Sequence, residues 1–217
     1  MTRVVIAGAG GFGRGVHSWL ISSPRHLAQG GVTDIVFIDD APPREHLYAE
    51  HVGRISDFQP SPDDRILCAI GAPAVRRTVV QLLARRAAKF HTFVADTAVL
   101  AHGVYAGEGA IVCPGTVVSA DAYIGPHVHI NFNCSVGHDT TIGEFSTLSP
   151  SVNIMGEVNV GDSVFLGGSC SVLPRIEVGR LSTIAAGATV VESVLSSTTV
   201  AGTPARALAR GREADDA

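Results

Sequence analysis

Between about Ala98 and Val191 one aliphatic residue returns every six positions, a period that few folds tolerate. From Leu100 the series runs through Ala106, Val112, Val118, Ile124, Ile130, Val136, Ile142, Leu148, Ile154, Val160, Leu166, Val172, Val178 and Ile184 to Val190, with Ala106 alone outside Ile, Leu and Val. Two residues before each sits a second series, small or β-branched, which includes Ala110, Thr116, Val128, Cys134, Thr140, Ser146, Cys170 and Ala188. A period of two nested in a period of six reads as short strand, turn, short strand, with both series pointing inward. Such units cannot bury an apolar face alone, so they stack. Three short parallel strands per coil make a triangular prism of about five coils, large aliphatics on the axis and small residues at the corners. A sandwich of short strands does not keep an unbroken six-residue phase.

Ahead of the prism, residues 1–90 read as a small parallel α/β domain. Val4 to Ala7 is a buried-type strand that enters Gly8-Ala9-Gly10-Gly11-Phe12-Gly13, a GxGxxG opening a helix over about 14–22. A second strand, Ile35 to Ile38, ends in Asp39-Asp40, and a third, Arg65 to Ile70, ends at Gly71. A helix then spans about 74–88, with Arg76, Arg77, Arg85 and Arg86 as its solvated face. In such sheets the carboxyl ends of the strands converge, so Gly8, Gly10, Gly11, Phe12, Asp39, Asp40 and Gly71 form one candidate binding edge. Its glycines suit a phosphate approaching the helix start, and its size suits a single nucleotide better than a dinucleotide. The second domain covers 91–210, and 211–217 is a polar tail.

With 17% charged residues and a formal net charge of −4, the chain shows no electrostatic footprint for nucleic acid. It has no signal-peptide pattern and no apolar run near the roughly twenty residues needed to cross a bilayer, so a cytoplasmic protein is expected. The four cysteines show no metal or redox spacing, and Cys134 and Cys170 belong to the inward series.

His138 lies two residues past Val136, at a prism corner from which an imidazole can project, and Asp139 follows it. Eighteen residues further along, Gly156 stacks over the same corner, about 5 Å away. A base beside an unshielded backbone N–H is what acyl transfer from a thioester needs. The stretch from Asn131 to Ser146, NFNCSVGHDTTIGEFS, resembles the active-site segment of the hexapeptide-repeat sugar acyltransferases, a family that includes bacillosamine-pathway and sialic acid acetyltransferases. The resemblance extends over the glycine turn, Phe37 to Asp40, Ala69 to Gly71 and the closing Val200-Ala-Gly-Thr-Pro-Ala-Arg206.

That resemblance implies a left-handed parallel β-helix behind a Rossmann-like domain, a homotrimer with sites between subunits, and no metal. It implies acetyl-CoA as co-substrate and a nucleotide-linked amino sugar as acceptor. By the same resemblance His138 is the general base, Asp139 supports it and Asn131 lies nearby. Gly156, Gly168, Ala186 and Thr147 become candidate contacts to coenzyme A. Phe12 and Thr147 stand where the family usually has histidines. N-acylation is favoured over O-acylation of a sialic acid. Two further classes compete with both: a non-catalytic scaffold, and a zinc-dependent β-helix carbonic anhydrase, for which the chain is short of histidine ligands.

Overall fold

The computed structural model describes residues 2–42 and 47–208; the tail from residue 211 lies outside them. Strands β1 (Thr2–Ala7), β2 (Val32–Ile38), β3 (His51–Gly53) and β4 (Asp64–Cys68) form one parallel sheet in the order β3-β2-β1-β4. Helices α1 (Gly11–Ile21), α2 (Pro24–Gly30) and α3 (Pro73–Ala84) complete this layer. Central β1 is apolar at consecutive positions because both its faces are covered: Val4 and Ile6 pack with Val16, Leu20 and Phe37, and Val5 and Ala7 with Val80 and Leu83. The glycine motif itself supplies the first turn of α1. Short α2 and β3 carry too little periodicity to be legible in the sequence.

One expectation fails at α3. Of the four arginines read as its solvated face, only Arg85 is exposed. Arg76 is fully buried, Arg77 pairs with Glu144 at 2.9 Å, and Arg86 donates to the carbonyls of Ile55, Ser56 and Phe58. Arg76, Val80 and Leu83 fall at helical spacing on one stripe, and that stripe faces inward.

The prism follows as expected. Its three sheets contain seven, six and five parallel strands, which makes five complete three-strand coils, a sixth whose third face is reduced to the Val178–Val194 bridge, and the first strand of a seventh. Every large inward residue from Val112 to Val190 is at most 2% exposed. Each strand pairs with the one eighteen residues on, as Tyr123 with Thr141 and Ile124 with Ile142. Inward hydroxyls are satisfied across coils: Thr116, Thr140 and Ser146 each donate to a carbonyl fifteen residues ahead. One residue per corner is left-handed, from Gly103 (φ 77°) through Asp121, Asn133 and Asp139 to Gly187. The antiparallel pair Thr199–Ala201 and Arg206–Ala207 ends the solenoid within the closing motif.

The prism's outward residues separate into three faces with different fates. Face 1 carries Phe93, Ile111, His129 and Thr147, all buried under α1 and α3. Face 2 carries Val99, Val117, Ser135 and Asn153, and face 3 Tyr105, Tyr123 and Thr141; on both, the apolar residues of the first two coils are exposed. The linker joins the two units covalently and by pairing: Ile66 N–H donates to Lys89 O and His91 N–H to Ile66 O, both at 2.8 Å, so β4 has no open edge here. No helix among the described residues is long and apolar enough to cross a membrane.

Candidate active site

At the corner between faces 2 and 3, His138 Nδ1 lies 2.7 Å from Asp139 Oδ2. A carboxylate only accepts, so Nδ1 carries the proton and Nε2 is left as the basic nitrogen. Asp139 can reach back to its neighbour because its own backbone is left-handed (φ 56°), a conformation Asp tolerates better than most residues. The imidazole lies across Gly156: a methyl group there would sit 2.6 Å from Nε2. Gly156 is therefore glycine because the histidine occupies the space a Cβ would take. Its N–H makes no backbone hydrogen bond within the described chain, while its carbonyl accepts from Arg175 N–H. The corner thus presents a base, its orienting acid and an unpaired backbone donor.

The remaining prism candidates lie elsewhere in the chain. Asn131 stands at the corner between faces 1 and 2, its Nδ2 donating to Leu148 O at 3.0 Å. Gly168 and Ala186 stack at that same corner in the fifth and sixth coils. The whole width of face 2 separates them from His138. Thr147, expected to contact coenzyme A, is 3% exposed on face 1, where its hydroxyl donates to Gly71 O at 2.9 Å. Position 147 faces the sheet domain, so in this chain it offers no surface to a coenzyme.

The predicted binding edge assembles as one unit. Gly8 (φ 107°) makes the turn, and a Cβ at Gly13 would overlap Gly8 O, which accounts for two of the glycines by close packing. Gly10, Gly11 and Gly71 are different: a Cβ at any of them would meet nothing within 4 Å. They border open space at the start of α1, whose first turn has no capping side chain and no acidic residue. Free amides and an absent acid favour an anion there. Asp39 ties the turn in place, its Oδ2 accepting from Ala9 N–H at 2.7 Å and its Oδ1 from Ala41 N–H. Asp40 accepts from Ser56 N–H at 2.9 Å, which holds its carboxyl below the usual carboxylate range, and lies 3.7 Å from Arg54.

The edge meets the prism beside Asn131. The Phe12 ring lies 5.1 Å from that of His129 and 6.3 Å from Trp19, and Trp19 lies 5.9 Å from Phe132. Behind Phe12, the Arg76 guanidinium contacts His129 Nδ1 at 3.1 Å and Thr147 Oγ1 at 2.9 Å. Arginine only donates, so His129 is neutral with its proton on Nε2, and burial holds its pKa well below the ordinary histidine value. The sequence pattern placed Arg76 on a solvated face and gave His129 no role. The stripe Arg76, Val80, Leu83 carried a signal for the first, whereas His129 is one outward residue among many.

Cavities of about 300 Å³ at the open end of the prism, lined by residues such as Val190 and Leu195, and of about 310 Å³ beside His17 and Tyr48 include none of these residues. Among the described residues no cluster of three or more His, Cys, Asp or Glu side chains is placed to hold a metal ion.

Residues 3–83 match the PglD N-terminal domain family. No curated protein matches the chain by sequence. Among solved structures, the acetyltransferase domain of PglB from Neisseria gonorrhoeae superposes with a TM-score of 0.88 at 26% identity, over 96% of this chain and 100% of that one. The same domain is also known in complex with acetyl coenzyme A. A perosamine N-acetyltransferase variant from Caulobacter crescentus, in complex with CoA and GDP-perosamine, superposes at 0.86 and 27% identity, over 97% and 98%. WeeI from Acinetobacter baumannii gives 0.86 and 27%, over 96% and 100%. Along nearly its whole length the chain is similar to these solved structures, with residues 3–83 matching the PglD N-terminal domain family ahead of the parallel β-helix.

Proposed function

We propose that the protein is an acetyl-CoA-dependent N-acetyltransferase acting on the amino group of a nucleotide-linked deoxyamino sugar. The observation that carries this reading is the corner where His138, oriented by Asp139, lies across Gly156. His138 Nε2 takes the proton of the amine as its nitrogen bonds to the thioester carbonyl carbon. The Gly156 N–H donates to the oxygen as negative charge develops on it. Collapse breaks the carbon–sulfur bond, and the departing thiolate takes its proton from the imidazolium. Acetyl-CoA is a cytoplasmic metabolite, and that is the compartment we assign.

The two halves of the site stand at opposite ends of face 2. The open edge of Gly10, Gly11 and Gly71 lies beside Asn131; the base lies at the far corner. We infer that a threefold assembly places the His138 corner of one subunit against the Asn131 corner of its neighbour. Exposed Val99, Val117, Tyr105 and Tyr123 on the first two coils supply apolar surface for it.

The test is incubation with acetyl-CoA and a panel of nucleotide-linked 4-amino-4,6-dideoxysugars, following thiol release, with a free sialic acid as the competing acceptor. Turnover of the amino sugars is expected. Turnover confined to sialic acid would replace this reading with O-acetylation, and failure to bind acetyl-CoA would leave a scaffold.

A further inference from the structure

Arg76 makes polar contacts on both sides of the junction between the sheet domain and the prism. Its NH1 donates to Ile70 O at 2.7 Å and Gly71 O at 3.1 Å, and lies 3.1 Å from His129 Nδ1. Its NH2 donates to Phe145 O, Ser146 O and Thr147 Oγ1 at 2.6, 3.1 and 2.9 Å. Thr147 passes the chain of bonds on, its hydroxyl donating to Gly71 O at 2.9 Å. The guanidinium is fully buried, and every acceptor found for it is a carbonyl, a hydroxyl or an imidazole nitrogen. A planar fork can serve the two domains at once; a point charge on a flexible stem cannot.

These bonds end on Ile70 and Gly71, the turn leaving β4, which forms one side of the open edge. The other side, the glycine turn of α1, rests on the adjoining coil through Phe12 against His129. His129 and Thr147 are paired neighbours in successive coils of face 1. The β1–β4 pairing fixes the two sides where they leave the sheet, with Ala69 N–H donating to Ala7 O at 2.8 Å, and beyond that point both rest on the prism.

We propose that Arg76 and Thr147 are positioning residues of the acceptor half-site, clamping the Gly71 turn so that the nucleotide edge is held at a defined width and orientation to the acyl-transfer prism. This rests on the reading of that edge as the nucleotide site. It also assigns Thr147 to the acceptor side, where the family resemblance had implied the acyl donor. No step of the chemistry passes through either residue; both act through the Gly71 carbonyl.

Thr147→Val removes the hydroxyl at nearly constant volume and is the first test. Loss of the hydroxyl's two hydrogen bonds, one accepted from Arg76 and one donated to Gly71 O, predicts a rise of about five- to a hundredfold in KM for the nucleotide sugar, with kcat and KM for acetyl-CoA unchanged. Thr147→Ser restores the donor and returns KM to the wild-type value. Arg76→Lys is expected to raise the same KM by tenfold or more. Binding of UDP, GDP and coenzyme A to the wild type and to Thr147→Val, by calorimetry, separates the two readings. If the wild type binds coenzyme A but no nucleoside diphosphate, the edge is not a nucleotide site and the proposal falls with it. If the wild type binds a nucleoside diphosphate and Thr147→Val weakens coenzyme A instead, or weakens neither, the proposed function stands and the positioning role is overturned.

Discussion

His129 and His138 stand nine residues apart in one coil, the first sealed under α1 and α3, the second projecting from a corner with 57% of its side chain exposed. The partner of His129 is a guanidinium, which can only donate; the partner of His138 is a carboxylate, which can only accept. One ring is thereby fixed as a neutral acceptor inside a structural network, and the other keeps a basic nitrogen over an open glycine. The repeat delivers both side chains outward by the same rule. What differs is which prism face the sheet domain covers, so in this fold the packing partner, and not the position in the hexad, decides whether a histidine is sealed as an acceptor or left with an open basic nitrogen.

The largest effect expected from this contrast is at the exposed ring. His138→Ala should lower kcat by roughly 10²–10⁴ with an unchanged melting temperature, since a corner side chain supports little core. Near-full activity in that variant would remove the corner from the mechanism. Gly156→Ala tests the same corner without touching the base. Its methyl group would fall 2.6 Å from His138 Nε2, so the ring must move, and kcat should fall by about 10–10². Steady-state kinetics that leave kcat intact would mean the ring's place over Gly156 does not matter.

The buried histidines predict a smaller effect, read in stability. Burial pushes His127 and His91 down to about 4, while in the unfolded chain they titrate near 6.5. Between those values the unfolded state takes up protons that the folded state does not, so their contribution is intact above about pH 6.5 and is lost as the pH falls towards 4. The melting temperature should drop over that interval by an amount equivalent to a few kcal/mol at most. His127→Phe, which keeps a ring against Phe145 and Phe90, should flatten the profile. A wild-type melting temperature constant from pH 7 to 4.5 would show that these rings are not shielded as the fold implies.

The hexad was legible because its cause is local and repeated. Each strand pairs with the strand eighteen residues on, and one slipped residue would turn an aliphatic such as Ile142 or Leu148 out of the axis. His138 and Gly156 were legible for the same reason, being one coil apart at one corner. The glycine turn, Asp39 and Gly71 followed from where parallel strands end. Arg76 was misread as solvated, because four arginines on a helix look like a solvated face until the neighbour across it is known. For Thr147, resemblance pointed to the coenzyme, and only the contact with Gly71 places it elsewhere.

Periodicity states which residues point away from the axis, and treats His129, Ser135 and Thr141 alike. It cannot state that the first lies under a helix and the others face solvent, because that depends on how ninety residues folded upstream dock onto one side of three. Hydrophobic repeats, turn glycines and strand ends are written along the chain, since their energetics are met by neighbours at fixed separations. The junction that joins Arg76, His129, Thr147 and Gly71 spans 76 residues of sequence between its closing hydroxyl and carbonyl, and only the tertiary structure brings its donors and acceptors within reach.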